Sequence, residues 1–173
     1  ENNLKEPDIE GYELKVQDRE TSSKQTLFHK DAWVMKASDF LENYGIPHSK
    51  KKGELSCNIT VTRKVNGRGF YLDTDDNYLY VKNNETIISK YDWNTLTESF
   101  MTKFPNAIKV YGNVKKEKGK IYFHYKEAYY LTNASKCKFK KLIEDNIISI
   151  DFKLRTQYNK GLSPRNRGTA FRI

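Results

Sequence analysis

The chain has 173 residues, enough for one domain with a real core or for one domain split into two lobes. Lysine and arginine total 31 against 22 acidic residues, a formal charge of +9, and that surplus favours a polyanionic partner because each neutralised phosphate releases condensed counterions. No apolar run approaches the roughly 18 residues that cross a bilayer and no secretory leader is read, so a membrane span is excluded and a cytoplasmic setting is expected.

In chain order, residues alternate from Gly11 to Val16, with Tyr12, Leu14 and Val16 on one face and Glu13 and Lys15 on the other, which predicts a strand. Thr26-Leu27-Phe28 reads as a short second strand. A helix is predicted from Asp31 to Tyr44: Trp33, Ala37, Phe40 and Tyr44 recur at helical spacing, Asp31 can cap the start, and Gly45 with Pro47 ends it. Strands follow at Leu55–Arg63, Gly69–Leu72 and Tyr78–Val81, separated by the turn signals Asn66-Gly67 and Asp75-Asp76-Asn77, and are expected to form one antiparallel meander. A second helix runs from about Asp92 to Phe104, burying Trp93, Leu96, Phe100 and Phe104, and Pro105 stops it. Strands near Ala107–Tyr111 and Lys120–Tyr125 are joined by a lysine-rich turn, and Ser135 caps a helix that ends near Asp145. A strand at Ile147–Arg155, a polar loop and Gly168–Ile173 close a mixed α/β chain without internal repeats. Cys57 and Cys137 have no metal-ligand spacing and read as two free thiols; His29, His48 and His124 show no zinc spacing. The lysines at 50–52 and around Gly119 fit equally a DNA backbone or plain solvent. After Asp151 the acids disappear while Lys153, Arg155, Lys160, Arg165, Arg167 and Arg172 remain, an ordered basic surface in view of the apolar residues interleaved with them.

The chemistry concentrates between Pro7 and Lys15. Asp8 precedes the first strand, and Glu13 and Lys15 project from the same strand face because side chains alternate with period two. Two converging carboxylates make a hard oxygen site suited to Mg²⁺, and such an ion can polarise a scissile phosphate. A lysine two residues beyond the second carboxylate can hold the nucleophilic water and offset charge in the transition state. Residue types alone leave open the alternative that Glu13 and Lys15 decorate a solvated strand face.

Pro7-Asp8 with Glu13-Leu14-Lys15 resembles the signature of the PD-(D/E)XK nucleases. The wider text, Glu1-Asn2-Asn3, Pro7-Asp8-Ile9, Glu13-Leu14-Lys15, Arg19-Glu20-Thr21-Ser22 and Thr26-Leu27-Phe28, is similar to the MvaI/BcnI family of type II restriction endonucleases. So is the far end: Ile150-Asp151-Phe152-Lys153-Leu154-Arg155, Lys160-Gly161 and Gly168-Thr169-Ala170-Phe171-Arg172-Ile173. The aromatic helix at Trp93 to Phe104 also falls where that family has one, so the resemblance covers nearly the whole chain.

The resemblance implies an α/β (α+β) fold built on a PD-(D/E)XK core, a mixed sheet flanked by helices, in one domain spanning residues 1–173. It further implies a mainly catalytic lobe over roughly 1–90 and a mainly recognition lobe over roughly 91–173, gripping double-stranded DNA between them. The activity implied is that of a monomeric type II restriction endonuclease cutting a short, interrupted CC/GG site one strand at a time. Asp8, Glu13 and the Leu14 backbone carbonyl would hold Mg²⁺, for which Mn²⁺ or Ca²⁺ can substitute in crystals, with Glu13 and Lys15 flanking the attacking water. Arg19, Thr21 and Ser22 would lie near the cut phosphate. Lys160, Arg165, Asn166, Arg167, Thr169 and Arg172 would face the DNA, arginine being suited to guanine O6 and N7 and asparagine to adenine; whether Arg165 and Arg167 read bases or touch only phosphates stays open. A DNA methyltransferase is the expected genetic partner. Two departures stand out: the helical segment that family members carry ahead of the Glu-Asn stretch is not in this sequence, and Arg165-Asn166-Arg167 replaces their Asp-His or His-Asp-His. The rival readings are a MutH-like nicking endonuclease and a non-catalytic DNA-binding domain; an RNA-binding module is disfavoured because no Gly-aromatic stacking pattern occurs.

Overall fold

The computed structural model describes residues 7–21, 23–133 and 135–173. Its twelve strands and three α-helices form a mixed α+β fold in which three sheets share one continuous apolar core. The first sheet, in the order β1 (Tyr12–Asp18), β8 (Asn106–Glu117), β9 (Lys120–Leu131), joins a parallel pair to a long antiparallel hairpin. The second holds six strands: β2 (Thr26–His29), β12 (Ala170–Arg172), β10 (Ser149–Gln157), β4 (Leu55–Val61) and β3 (Ile46–Pro47) in that order, with β11 (Leu162–Asn166) also paired to β10. The third is the antiparallel meander β5 (Phe70–Thr74), β6 (Tyr78–Asn83), β7 (Thr86–Asp92).

β10 anchors the second sheet: Ile150, Phe152, Leu154 and Thr156 are buried on one face, while the other begins with the buried Ser149 and Asp151 and continues with Lys153 and Arg155. Around it Trp33, Phe40 and Phe152 make a cluster of edge-on rings, while Phe28 stacks on Phe171 at 4.7 Å and Phe100 on Phe139 at 4.6 Å. The helices seal this layer. α1 (Ala37–Tyr44) buries Phe40 and Leu41; α2 (Trp93–Lys103) buries Trp93, Leu96 and Thr97 and is capped by Asp92, which accepts from the Thr95 amide; α3 (Lys136–Glu144) buries Phe139 and Ile143 and is capped by Ser135.

Four sequence expectations need correction. The first helix starts at Ala37, not Asp31, because the Asp31 carboxylate is engaged elsewhere and residues 32–35 lie against β7: Val34 and Met35 donate to the Ile88 carbonyl and Lys90 donates to that of Ala32. β7 was not anticipated, although Asn84, at φ +49, makes the turn that leads into it. The predicted meander is divided, since β4 pairs with β10 while β5, β6 and β7 form their own sheet. The β8–β9 hairpin is longer than expected, 12 residues in each strand, closed by Lys118-Gly119 with both residues at positive φ.

Two of the three sheets combine strands from both halves of the chain. β1 pairs with β8, β2 with β12 and β4 with β10, so a boundary near residue 90 separates no sheet except the meander. The first sheet also inverts its expected orientation. Glu13 lies on the inner face, 1% exposed, whereas Val16 on the apolar face is 42% exposed and Tyr130, whose ring lies 5.6 Å from that of Tyr12, 58%.

Candidate active site and basic cleft

A tight turn folds Asp8 back against the start of β1. Glu10 (φ +36) and Gly11 (φ +86) occupy the two central positions of a hairpin turn closed by reciprocal bonds, Ile9 amide to Tyr12 carbonyl at 3.0 Å and Tyr12 amide to Ile9 carbonyl at 2.6 Å. Two residues at positive φ match the right-handed twist of the flanking strands. Asp8 is thereby folded back beside the Glu13-Leu14 peptide, where the Leu14 amide donates to Asp8 Oδ2 at 3.1 Å. The five-residue spacing from Asp8 to Glu13 is the spacing of a two-residue turn with its two flanking pairs.

Glu13 is the buried member and Asp8 the exposed one. A charge withdrawn from water needs compensation, and here it has two ammonium groups. Lys15 donates to Glu13 Oε1 and its Nζ lies 5.5 Å from the centre of the Phe104 ring. Lys103, in the last turn of α2, faces Glu13 Oε2 at 2.9 Å, an ion pair rather than an aligned hydrogen bond. β8 begins immediately after this helix and sets Ala107 beside Glu13 in the parallel pair, so one crossover positions both the strand register and the second lysine. Lys103 escaped the sequence reading because a basic residue in a last helical turn is ordinary and its partner lies 90 positions away.

Among the described residues no three His, Cys, Asp or Glu side chains gather into a metal-binding group. The oxygen donors that suit a hard divalent cation are the Asp8 and Glu13 carboxylates and the Leu14 carbonyl. They fit such an ion in one respect the structure itself supplies: a buried carboxylate oxygen, Glu13 Oε2, whose neighbour is a positive charge and not a hydrogen-bond donor in line with it.

Behind β1, Arg19 forms an ion pair with Glu127 on the exposed part of the first sheet, and Thr21 donates both its amide (3.2 Å) and its hydroxyl (3.1 Å) to the Asp18 carbonyl. Ser22, like the Glu1-Asn2-Asn3 stretch, lies outside the described residues.

The basic residues of the closing segment gather on the second sheet. Lys153 and Arg155 of β10, Arg165 of β11 and the adjoining Arg167 line a cleft of about 190 Å³ with His48, Ser56 and Asn58, and no acid lines it. Register explains the convergence, since Arg155 pairs with Arg165 across β10–β11 and with Ser56 across β10–β4. Lys160 lines a neighbouring cavity with Lys51 and Arg155.

The remaining members of the segment are engaged internally. Asp31 accepts from the Thr169 amide (3.0 Å), the Thr169 hydroxyl (2.7 Å), Asn166 Nδ2 (3.1 Å) and Trp33 Nε1 (3.3 Å). Burial alone would raise the Asp31 pKa; the bonds from Thr169, Asn166 and Trp33 outweigh it and hold the carboxyl below its ordinary value. Asn166 also accepts from the Gly168 amide at 3.0 Å, so both ends of its amide serve the loop, and Thr169 is fully buried. These two positions, expected to face DNA, shape the loop that presents Arg165 and Arg167. Gly168, at φ +83, packs so closely on His29 that a Cβ would come within 3.0 Å of the ring. Arg172 binds Asp151 Oδ2 at 2.9 Å and Thr26 Oγ1 at 3.1 Å, while Thr60 donates to the other Asp151 oxygen at 2.6 Å. Asp31 was read from sequence as a helix cap; only the fold reveals it as the loop's anchor.

A family model, that of the MvaI/BcnI restriction endonuclease family, matches residues 1–173. Among solved structures, the fold is similar to that of restriction endonuclease MvaI in complex with its cognate DNA substrate, with a TM-score of 0.79 at 24% identity, covering 100% of this chain and 76% of that one. It is also similar to MvaI in the absence of DNA, with a TM-score of 0.64 at 23% identity over 96% and 74% of the two chains. No curated protein matches the chain.

Proposed function

This chain belongs to the MvaI/BcnI restriction endonuclease family and is a type II site-specific endonuclease, and on that premise we propose that Asp8, Glu13 and Lys15 carry Mg²⁺-dependent hydrolysis of double-stranded DNA. The observation that carries this reading is Glu13, a carboxylate 1% exposed that contacts Lys15 and Lys103, with Asp8 folded back against the next peptide. Holding a charge out of water against two cations is costly for a mere surface decoration, and that cost supports a functional role.

In this reading Asp8, Glu13 and the Leu14 carbonyl hold the divalent cation, which supplies Lewis acidity at the scissile phosphate. Glu13 and Lys15 orient the attacking water between them, and the Lys15 ammonium offsets the charge that builds on the phosphate oxygens. The water oxygen bonds to phosphorus and gives up a proton to solvent, the bond between phosphorus and the leaving oxygen breaks, and that oxygen takes up a proton from solvent. Arg165 and Arg167, with Lys153 and Arg155 in the same cleft, hold the duplex, while Lys160, Arg19, Thr21 and Ser22 meet its backbone. Arg172, anchored on Asp151 with its side chain 26% exposed, keeps N–H groups for a DNA contact. The target is a short interrupted CC/GG site, cut by a monomer one strand after the other.

Supercoiled plasmid incubated with Mg²⁺ tests the assignment. Nicked circles should appear first and linear DNA after them, and Asp8→Asn, Glu13→Gln and Lys15→Met should each slow cutting by about a hundredfold or more while gel-shift binding persists. Cutting at the full rate by Glu13→Gln would refute the catalytic assignment. Products that stop at nicked circles would favour a nickase, and no Mg²⁺-dependent products a purely binding domain.

A further inference from the structure

We infer that Lys103 is a built-in occupant of the metal site, which it holds closed to divalent cations until DNA draws it away. The inference rests on the catalytic reading of Glu13 and adds an order of events to it.

Glu13 carries one negative charge and is in contact with two ammonium groups, one at each carboxylate oxygen. With both lysines in place the charges of Glu13 and Asp8 are neutralised and the site sums to about zero, which leaves no net negative charge to attract a dication. The two lysines differ in what ties them there. Lys15 stands two residues away on the same strand face and is positioned by the strand itself. Lys103 arrives from α2, at the helix end, with its side chain 13% exposed. It covers Oε2, the oxygen that has no aligned hydrogen-bond donor and is the one a hard cation can take. Ammonium and cation cannot share that lone-pair space at 2.9 Å.

A phosphodiester entering the site changes the balance. It offers Lys103 another anion within reach of a flexible four-carbon stem, and it brings negative charge that the cation then helps to neutralise. Lys103 shifts toward the DNA backbone, Oε2 is freed, and Glu13 with Asp8 accepts the ion. Metal and DNA thus bind with positive coupling, each raising the affinity for the other. A purely structural Lys103, present to neutralise a buried acid, gives no such coupling.

Calorimetric titration with Ca²⁺ tests this without relying on cleavage. In the absence of DNA, K103M should bind Ca²⁺ about tenfold more tightly than the unmodified chain, and K103R, which keeps the charge, should stay as weak as the original. Equal affinities in K103M and the unmodified protein overturn the inference. The unmodified chain gives an independent reading that needs no variant. Its Ca²⁺ affinity should rise about tenfold when linear plasmid DNA is present, after subtraction of Ca²⁺ binding to DNA alone, and no rise overturns the inference equally. Glu13→Gln separates the two levels of argument. Loss of Ca²⁺ binding in that variant places the ion at Glu13, so a failure confined to K103M removes the gate and leaves the site; retained binding overturns both.

Discussion

Asp31 gathers four hydrogen bonds from three side chains and one backbone amide, and through them fixes the loop that carries Arg165 and Arg167. Its replacement by alanine should cost about 1–3 kcal/mol in urea unfolding, because the Thr169 and Asn166 donors would be left without their acceptor. The pH dependence has a definite sign. The folded carboxyl titrates below its ordinary value of 3.8, so its contribution is complete above that value and is lost as pH falls through the depressed folded pKa. The stability difference between the unmodified chain and Asp31→Asn should therefore be constant near neutrality and shrink in acid; a difference that grows below pH 4 would contradict this account. At this scale the proposed catalytic cluster was legible and the residues that contact it from afar were not. Asp8, Glu13 and Lys15 sit within eight residues, where spacing converts directly into geometry. Asp31 and Lys103 act on partners 138 and 90 positions away, and an isolated aspartate before an apolar stretch is indistinguishable from a helix cap until the fold claims its oxygens.

The element that makes the site is the two-residue turn before β1. Gly11 at φ +86 lies in a region that costs an L side chain about 1–2 kcal/mol, so Gly11→Ala should lower stability by that amount. It should also lower kcat more than DNA affinity, since the turn sets Asp8 against Glu13 and touches no basic residue of the cleft. Unchanged kcat in a destabilised Gly11→Ala protein would show that the turn does not position Asp8. Periodicity announced α2 and α3 well, because each has a real capping residue and a stopping signal. It misjudged α1 at its start: aromatic spacing at Trp33, Ala37 and Phe40 is helical, but the backbone of 32–35 finds better partners in Ile88 and Lys90 than in its own next turn. β7 was missed for a related reason. Thr86-Ile87-Ile88 is a short run, and only pairing with Tyr78–Asn83 extends it to seven residues.

Sheet membership is the property least visible from sequence, since pairing partners carry no local mark of each other. All the strands of the first two sheets except β3, β9 and β11 pair with segments far away in sequence, and the second is closed by reciprocal bonds between Gln25 and Ile173 at 2.8 and 3.0 Å. Phe171→Ala should be among the most damaging changes, about 3–5 kcal/mol in urea unfolding, because its ring meets Phe28, Tyr91 and Phe139 at once. The basic cleft makes a prediction for the molecule as a DNA binder. Affinity should fall steeply with salt, and each phosphate contact removed by Arg165→Ala or Arg167→Ala should flatten the log–log slope by about 0.9; an arginine that reads bases instead leaves the slope and loosens the choice of site. The pairing of β2 with β12 has a consequence during synthesis. The sheet that carries the cleft cannot close until β12 has left the ribosome, and the anchor at Asp31 waits as long for Thr169. A chain stopped before β12 would therefore hold Asp8 and Glu13 at the first sheet without a finished basic cleft on the second.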